Sequence, residues 1–255
     1  MKPGSTRSWL GTWALLLALV VGWEVAVRCS SVSSLILPAP SAVMKSLWKG
    51  LSTGYLWPHI RATGVELMLG LSVGCLIGFV GGVVMAESTV LHRVLKPYVV
   101  ISQVIPKLAL APLFIVWFGF GMTSTVVMTA LICFFPLMEN TMTSLQQVDR
   151  QRLELFRMLG ATRYQTLVRL KLPAGLPGIL AGLRVAVVLS LVGAVVGEFI
   201  GASQGLGALI IASQGMMDTP LMFAVLVVIA TIGLVLYHLT LAVETYLLQP
   251  YTRTS

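Results

Sequence analysis

Apolar residues run along this chain in long blocks separated by short polar stretches, not in the narrow stripes of a water-soluble bundle. About 20 apolar residues in one α-helix cross a hydrocarbon core of roughly 30 Å. Six blocks are long enough, near residues 10–27, 65–85, 98–119, 124–142, 178–201 and 221–247. The pattern predicts an all-α integral membrane protein, one transmembrane domain over residues 1–255 with six spans. The first block follows Lys2 and Arg7 as a secretory signal would. It ends in Val27-Arg-Cys29 with no small-x-small cleavage site, so it is read as a span.

Two polar stretches carry helical patterns of their own. After Pro38, Pro40 and Ser41, the residues Val43, Leu47 and Leu51 share one helix face, which predicts an amphipathic surface helix opened by a Pro-Ser cap. Between the fourth and fifth blocks, residues 145–177 are too polar for a span and too few for a catalytic domain. Leu153, Phe156 and Leu159 lie at helical spacing there. Gly160 interrupts, and a second short helix is expected over about 162–170, stopped by Pro173 and Pro177. Two short helices bent at a glycine suit a docking element for a partner protein; a solvated loop whose arginines only set topology is the alternative. Glycines recur every fourth residue at Gly70, Gly74, Gly78 and Gly82, and again at Gly193, Gly197 and Gly201. Such faces let helix backbones approach closely.

Composition agrees with the blocks. Hydrophobic residues make up 57% of the 255 and charged residues only 10%, against about 25% charged in soluble domains. The net charge of +8 sits between apolar runs and so points to an anionic membrane surface and not to nucleic acid. With six spans and the N-terminus inside, eleven Lys and Arg fall on the cytoplasmic side and four outside, with Lys107 and Arg184 within spans. Both termini are therefore expected in the cytoplasm.

No catalytic or metal-ligating constellation emerges. There is no phosphate-cradling GxxxxGK[ST] sequence, no CxxC pair and no Ser/His/Asp or Cys/His arrangement among Cys29, Cys75, Cys133, His59, His92 and His238. The informative polar residues are charges inside spans, each costing about 2.5–3.5 kcal/mol at a helix centre. Lys107 lies about ten residues into the third block, about 15 Å deep at 1.5 Å per residue, between Pro106 and Pro112, where a kink or unwinding is expected. It either lines a pathway for anionic or polar solutes or pairs structurally with Glu139 or Glu66. Glu139 and Glu198 are further pathway candidates, with a plain helix-end charge the simpler account of Glu198. The glycines of Gly205-Leu-Gly207 just beyond it suit a tight re-entrant turn.

Glu154-Leu-Phe-Arg-Met-Leu-Gly160, then nine residues and Leu170-Lys-Leu-Pro173, resembles the EAA motif of binding-protein-dependent ABC importer permeases. Leu155 and Phe156 stand where that motif has alanines, and Leu170 where it has isoleucine. Ile105-Pro-Lys-Leu-Ala-Leu-Ala-Pro112, Trp117-Phe-Gly-Phe-Gly121, Phe134-Phe-Pro136, Glu198-Phe199, Gly205-Leu-Gly207 and Leu37-Pro-Ala-Pro-Ser41 agree in order with the nitrate/sulfonate/taurine-type members, a group that also handles thiamine-pyrimidine precursors. The resemblance implies a type I (MetI-like) importer permease in a bacterial plasma membrane. Two copies would pair, each docking one cytoplasmic ATPase, with an external substrate-binding protein delivering the ligand. ATP and Mg would be bound by the ATPase and no cofactor by this chain. It also implies a coupling role for Glu154, Gly160, Ala161, Thr162, Leu170, Leu172 and Pro173, with Glu154 meeting a basic or polar group of the ATPase and Ala161–Val168 supplying the coupling surface. The transported solute is then a sulfonate, taurine, nitrate or a thiamine-pyrimidine-like nutrient. The competing class is a secondary transporter driven by an ion gradient, which calls for an internal repeat that is not visible here and leaves the EAA-like segment unexplained.

Overall fold

The computed structural model describes residues 5–29 and 33–252, and every described regular element is helical. The helices are α1 (Ser5–Cys29), α2 (Pro40–Ser52), α3 (Leu56–Glu87), α4 (Thr89–Val104), α5 (Ala111–Phe118), α6 (Met122–Gln146), α7 (Arg150–Met158), α8 (Arg163–Thr166), α9 (Leu172–Gly201), α10 (Leu206–Gly215) and α11 (Thr219–Thr252). A 3₁₀ turn (Lys107–Leu110) precedes α5, and a π turn (Leu167–Lys171) joins α8 to α9. α3, α6, the run from Arg163 to Gly201, and α11 are each long and apolar enough to cross a membrane, and the pair α4 plus Lys107–Phe118 makes a fifth crossing if taken as one broken span. α1, at 25 residues, covers the first predicted span; the side chains of residues 5–10 and of Trp13, and Lys2 altogether, lie outside the described residues.

Two compact units divide these helices. The first takes the described residues up to His59 together with Leu209–Ala230. In it the Ser41 amide and hydroxyl both donate to the Glu24 carboxylate, at 2.9 and 2.8 Å, and Arg28 closes on the same group at 2.6 Å. Glu24 therefore satisfies an orphan first-turn amide of α2 from another helix. The expected Pro-Ser cap is corrected accordingly: Ala39 is the N-cap residue, Pro40 begins the helix, and Ser41 is tied to α1. Val43 and Gly50 are buried and Leu47 and Leu51 half-buried, so the predicted apolar face is the inward one.

The second unit, Ile60–Ala208 with the described residues from Thr231 on, is organised around α6. Half of the most apolar stretch of α6 is buried, and half of that of α9, against 28% for α3. Close approach by glycine explains why. A Cβ at Gly74 would meet Ala130 O at 2.8 Å, and one at Gly82 would meet Met138 O at 2.6 Å; on the other side, Gly193 and Gly197 face Thr129 Cα at 2.8 Å and Thr125 Cα at 3.0 Å. The two glycine rows thus seat α3 and α9 directly on the α6 backbone. Cys133, Leu137, Leu145, Ile179 and Ala186 form one apolar cluster along this seam, and Met85, Met138 and Met142 another. The hydroxyl of buried Thr129 donates to Thr125 O at 2.8 Å, so α6 carries it without an outside partner.

Two proline predictions separate. At Ile105-Pro106 the chain turns by 84° between α4 and the Lys107–Phe118 run. Ile105 is held extended (ψ 123°), as a residue before proline must be, and the predicted kink is a full break. Pro173 and Pro177 do not end a helix, contrary to expectation: the helical run from Arg163 continues to Gly201. The π turn just before Pro173 widens the backbone against its ring, so the run passes through without a break.

Substituting Gly78, whose Cβ would collide with the Phe134 carbonyl, tests the seam. Gly78→Ala should lower the stability of the purified protein by about 1–3 kcal/mol in thermal unfolding. Gly64→Ala, which meets nothing within 4 Å, should leave it unchanged or slightly raise it.

Candidate functional site

Residues 147–171 form a bent hairpin whose turn is fixed from both sides. Asp149 opens α7 by accepting from the Gln151 amide at 3.1 Å. Gly160 closes it: its N–H donates to Arg157 O and the Ala161 N–H to Phe156 O, both at 3.0 Å. That double bond to the last turn needs a left-handed residue, and Gly160 supplies φ +72°. Two residues on, Thr162 starts α8 through a reciprocal cap, its amide donating to Gln165 Oε1 at 2.9 Å and its hydroxyl accepting from the Gln165 amide at 3.2 Å.

The hairpin sorts the expected coupling residues into two sets. Glu154, Gly160 and Thr162 lie exposed on the turn with Ala161 half-buried among them, and Glu154 makes no ion pair among the described residues. Leu170 is buried, Leu172 packs with Leu167 against the Cys133–Leu137 cluster, and Pro173 is half-buried. These last three anchor the hairpin to the bundle. On the same hairpin as Glu154 the structure exposes Leu159 at 73%, although it shares the predicted apolar spacing, and Tyr164 at 74%, within the expected coupling stretch. Met158, at 87% exposed, is the residue that the sequence reading passed over; its signal was a large apolar side chain in a stretch rich in arginine.

The charges within spans are not gathered into one place. Lys107 sits at the 84° corner, so the depth expected of a straight helix does not apply to it. Its Nζ donates to Gln103 Oε1 at 3.1 Å and lies 6.0 Å from the centre of the Phe135 ring. It pairs with neither Glu139 nor Glu66, and Glu139, half-buried on α6, makes no ion pair among the described residues. Arg184 pairs instead with Glu244 at 3.4 Å. Glu198 is only 1% exposed, which corrects its reading as a helix-end charge in the headgroups. Its Oε2 accepts from the Gly207 amide at 2.5 Å, and Thr63 Oγ1, which accepts from the Leu206 amide at 2.8 Å, lies beside the same carboxyl group. Gly205, at φ +129°, passes so close to Glu198 that a side chain there would overlap the carboxylate. The re-entrant turn expected at Gly205-Leu-Gly207 is thus wrapped around Glu198, with Glu66 facing it from α3.

Comparison with known proteins places the chain in a family. Residues 74–249 match the family described as binding-protein-dependent transport system inner membrane component. The riboflavin transport system permease protein of Chloroflexus aurantiacus is 39% identical over 240 residues, 94% of this chain and 90% of that one. The formylaminopyrimidine transport permease protein of Halalkalibacterium halodurans is 36% identical (86% of each chain), and the taurine transport system permease protein of Escherichia coli 33% identical (89% of this chain, 83% of that one). Among solved structures, an inward-facing form of the MetNI methionine ABC transporter aligns with TM-score 0.67 at 19% identity, covering 76% of this chain and 98% of that chain, a likeness of fold.

Thr63→Val keeps the shape of the side chain while stranding the buried Leu206 amide and removing a partner of Glu198. Melting should show a loss of about 1–3 kcal/mol, and hydrogen exchange at Leu206 should speed up ahead of global unfolding.

Proposed function

The chain belongs to the binding-protein-dependent transport system inner membrane component family, the permease subunits of ABC transporters, and on that premise we propose that two copies pair and that each docks one cytoplasmic ABC ATPase through the α7–α8 hairpin. It is a multi-pass membrane protein and the transport subunit of its assembly; hydrolysis belongs to a separate ABC subunit. The observation that carries the docking assignment is the doubly capped hairpin that leaves Met158, Leu159 and Tyr164 exposed on the same short element as Glu154, which makes no ion pair among the described residues. An exposed apolar group ringed by polar residues marks a protein interface. In the proposed contact the apolar side chains are covered by the ATPase and Glu154 meets a basic or polar group of its cleft.

Movement then has a path into the spans. Leu167 and Leu172 seat the hairpin in the core and Leu170 is buried beside them, and the helical run from Arg163 to Gly201 carries displacement of the hairpin along α9 to the turn at Glu198. ATP and Mg are held by the ATPase and this chain brings no cofactor of its own. The two states exchange only as far as the ligands of the assembly bind them unequally. The excess of Lys and Arg on one side supports a cytoplasmic position for both termini. An external substrate-binding protein delivers the solute, proposed to be a small nutrient of the sulfonate, taurine, nitrate or thiamine-pyrimidine kind. Relatives named for riboflavin, formylaminopyrimidine and taurine support that range. Lys107 at the broken-helix corner and Glu139 on α6 are the proposed polar groups of the pathway, while Glu198 holds the turn beside it.

Co-purification with the partner ATPase, followed by reconstitution with the binding protein, tests the assignment. Tyr164→Ala should weaken recovery of the ATPase by about tenfold or more. Glu154→Ala should uncouple hydrolysis from uptake while the permease melts as the parent does. Normal assembly and uptake in both variants would refute docking through this hairpin.

A further inference from the structure

A second feature of the hairpin faces the other way. Between its inner side and the junction of α3 and α4 lies a cleft of about 580 Å³, bordered by Arg157, Arg163 and Lys171, by the hydroxyls of Ser88, Thr89 and Thr166, and by Glu87. That volume lies within the roughly 300–1,000 Å³ of small-molecule sites. Three cations against one carboxylate leave an excess of two positive charges. Lys171 and Glu87 neutralise each other at 2.6 Å. Arg157 and Arg163 make no ion pair or side-chain hydrogen bond among the described residues.

Two arginines converging on an open cleft without a carboxylate to pair them are an electrostatic arrangement awaiting an anion. Guanidinium groups match the oxygens of a phosphate bidentately, and hydroxyls complete such a shell. The same cleft is edged by the first turn of α4, at Thr89 and Val90, where backbone amides have no helical partner. The apolar run of α3 ends at Glu87 and α4 begins at Thr89, so the cleft lies at the polar end of a candidate span, where a phospholipid headgroup as well as a soluble phosphate can reach it.

We propose that this cleft binds a phosphate group, through Arg157 and Arg163 with the hydroxyls of Ser88 and Thr89, and that the bound phosphate ties the α7–α8 hairpin to the α3–α4 junction. The group is carried by an anionic phospholipid or by a soluble phosphate. The inference concerns the inner side of the hairpin and stands whether or not its outer side docks an ATPase.

The test uses the full chain purified in detergent, with dioleoylphosphatidylglycerol, dioleoylphosphatidylcholine or inorganic phosphate added, bound lipid counted by native mass spectrometry and phosphate binding followed by thermal shift. Expected is retention of phosphatidylglycerol over phosphatidylcholine, or stabilisation by inorganic phosphate, the two arms separating a lipid from a soluble source. The double variant Arg157→Gln/Arg163→Gln should lose that binding by about tenfold or more. Arg157→Lys/Arg163→Lys should recover part of it, which shows that the protein folds, and Arg150→Gln, on the same helix but outside the cleft, should retain it. Equal binding by the parent and the glutamine variant, or equal loss in Arg150→Gln, overturns the proposal. So does a glutamine variant that keeps its phosphate but no longer holds the ATPase, because the arginines would then serve the protein interface.

Discussion

The constraint on which the larger unit depends is the contact of α6 with backbone on both sides. Within a membrane, burying apolar side chains against one another gains little over leaving them in lipid, so helices hold together by close packing and by satisfied polar groups. Gly74 and Gly82 bring α3 to the carbonyls of α6, and Gly193 and Gly197 bring α9 to its Cα atoms. With no side chain between them, the backbones are close enough for the buried threonines of α6 to pack on glycine. Glu66 on α3 and Glu198 on α9 then come face to face. The turn at Gly205–Gly207 closes over that pair, so its position follows from the same contact.

The irregular parts are where a regular helix has been given up for a purpose. Pro106 breaks the third predicted span by 84° and turns Lys107 into a corner residue held by Gln103 and flanked by Phe135. The π turn at Leu167–Lys171 does the reverse, letting the chain carry Pro173 without a break and so joining the hairpin to α9 as one body. One proline ends the helix before Lys107, and the other is accommodated inside a helical run that continues to Gly201.

Much of this was legible in the sequence because it depends on local rules. Block lengths gave the long helices, the four-residue glycine spacing gave the seam, and Gly160 and Pro106 gave the two sharp turns. The parts that were not legible depend on partners far apart in the chain. Glu24 serving Ser41 across 17 residues cannot be told from an ordinary helix-end carboxylate. Burial of Glu198 requires knowing that Thr63, 143 residues before Leu206, lies beside the same turn. Lys107 invited pairing with Glu139 on depth alone, yet the break at Pro106 leaves the nearer Gln103 as its partner. Pro173 misled because the rule that proline ends a helix assumes a regular turn ahead of it, and the π turn removes that assumption; Pro177 is carried inside α9 itself. In the hairpin, the motif residues were visible individually, but which of them face solvent is decided by the caps at Gly160 and Thr162.

The most direct measurement is site-specific photocrosslinking from the hairpin in membranes containing the partner ATPase. A photoreactive residue placed at Tyr164 should give an adduct of the mass of this chain plus the ATPase, and the same residue at Met44, exposed on α2, should give none. Adducts with the ATPase from Met44 and not from Tyr164 would contradict the account.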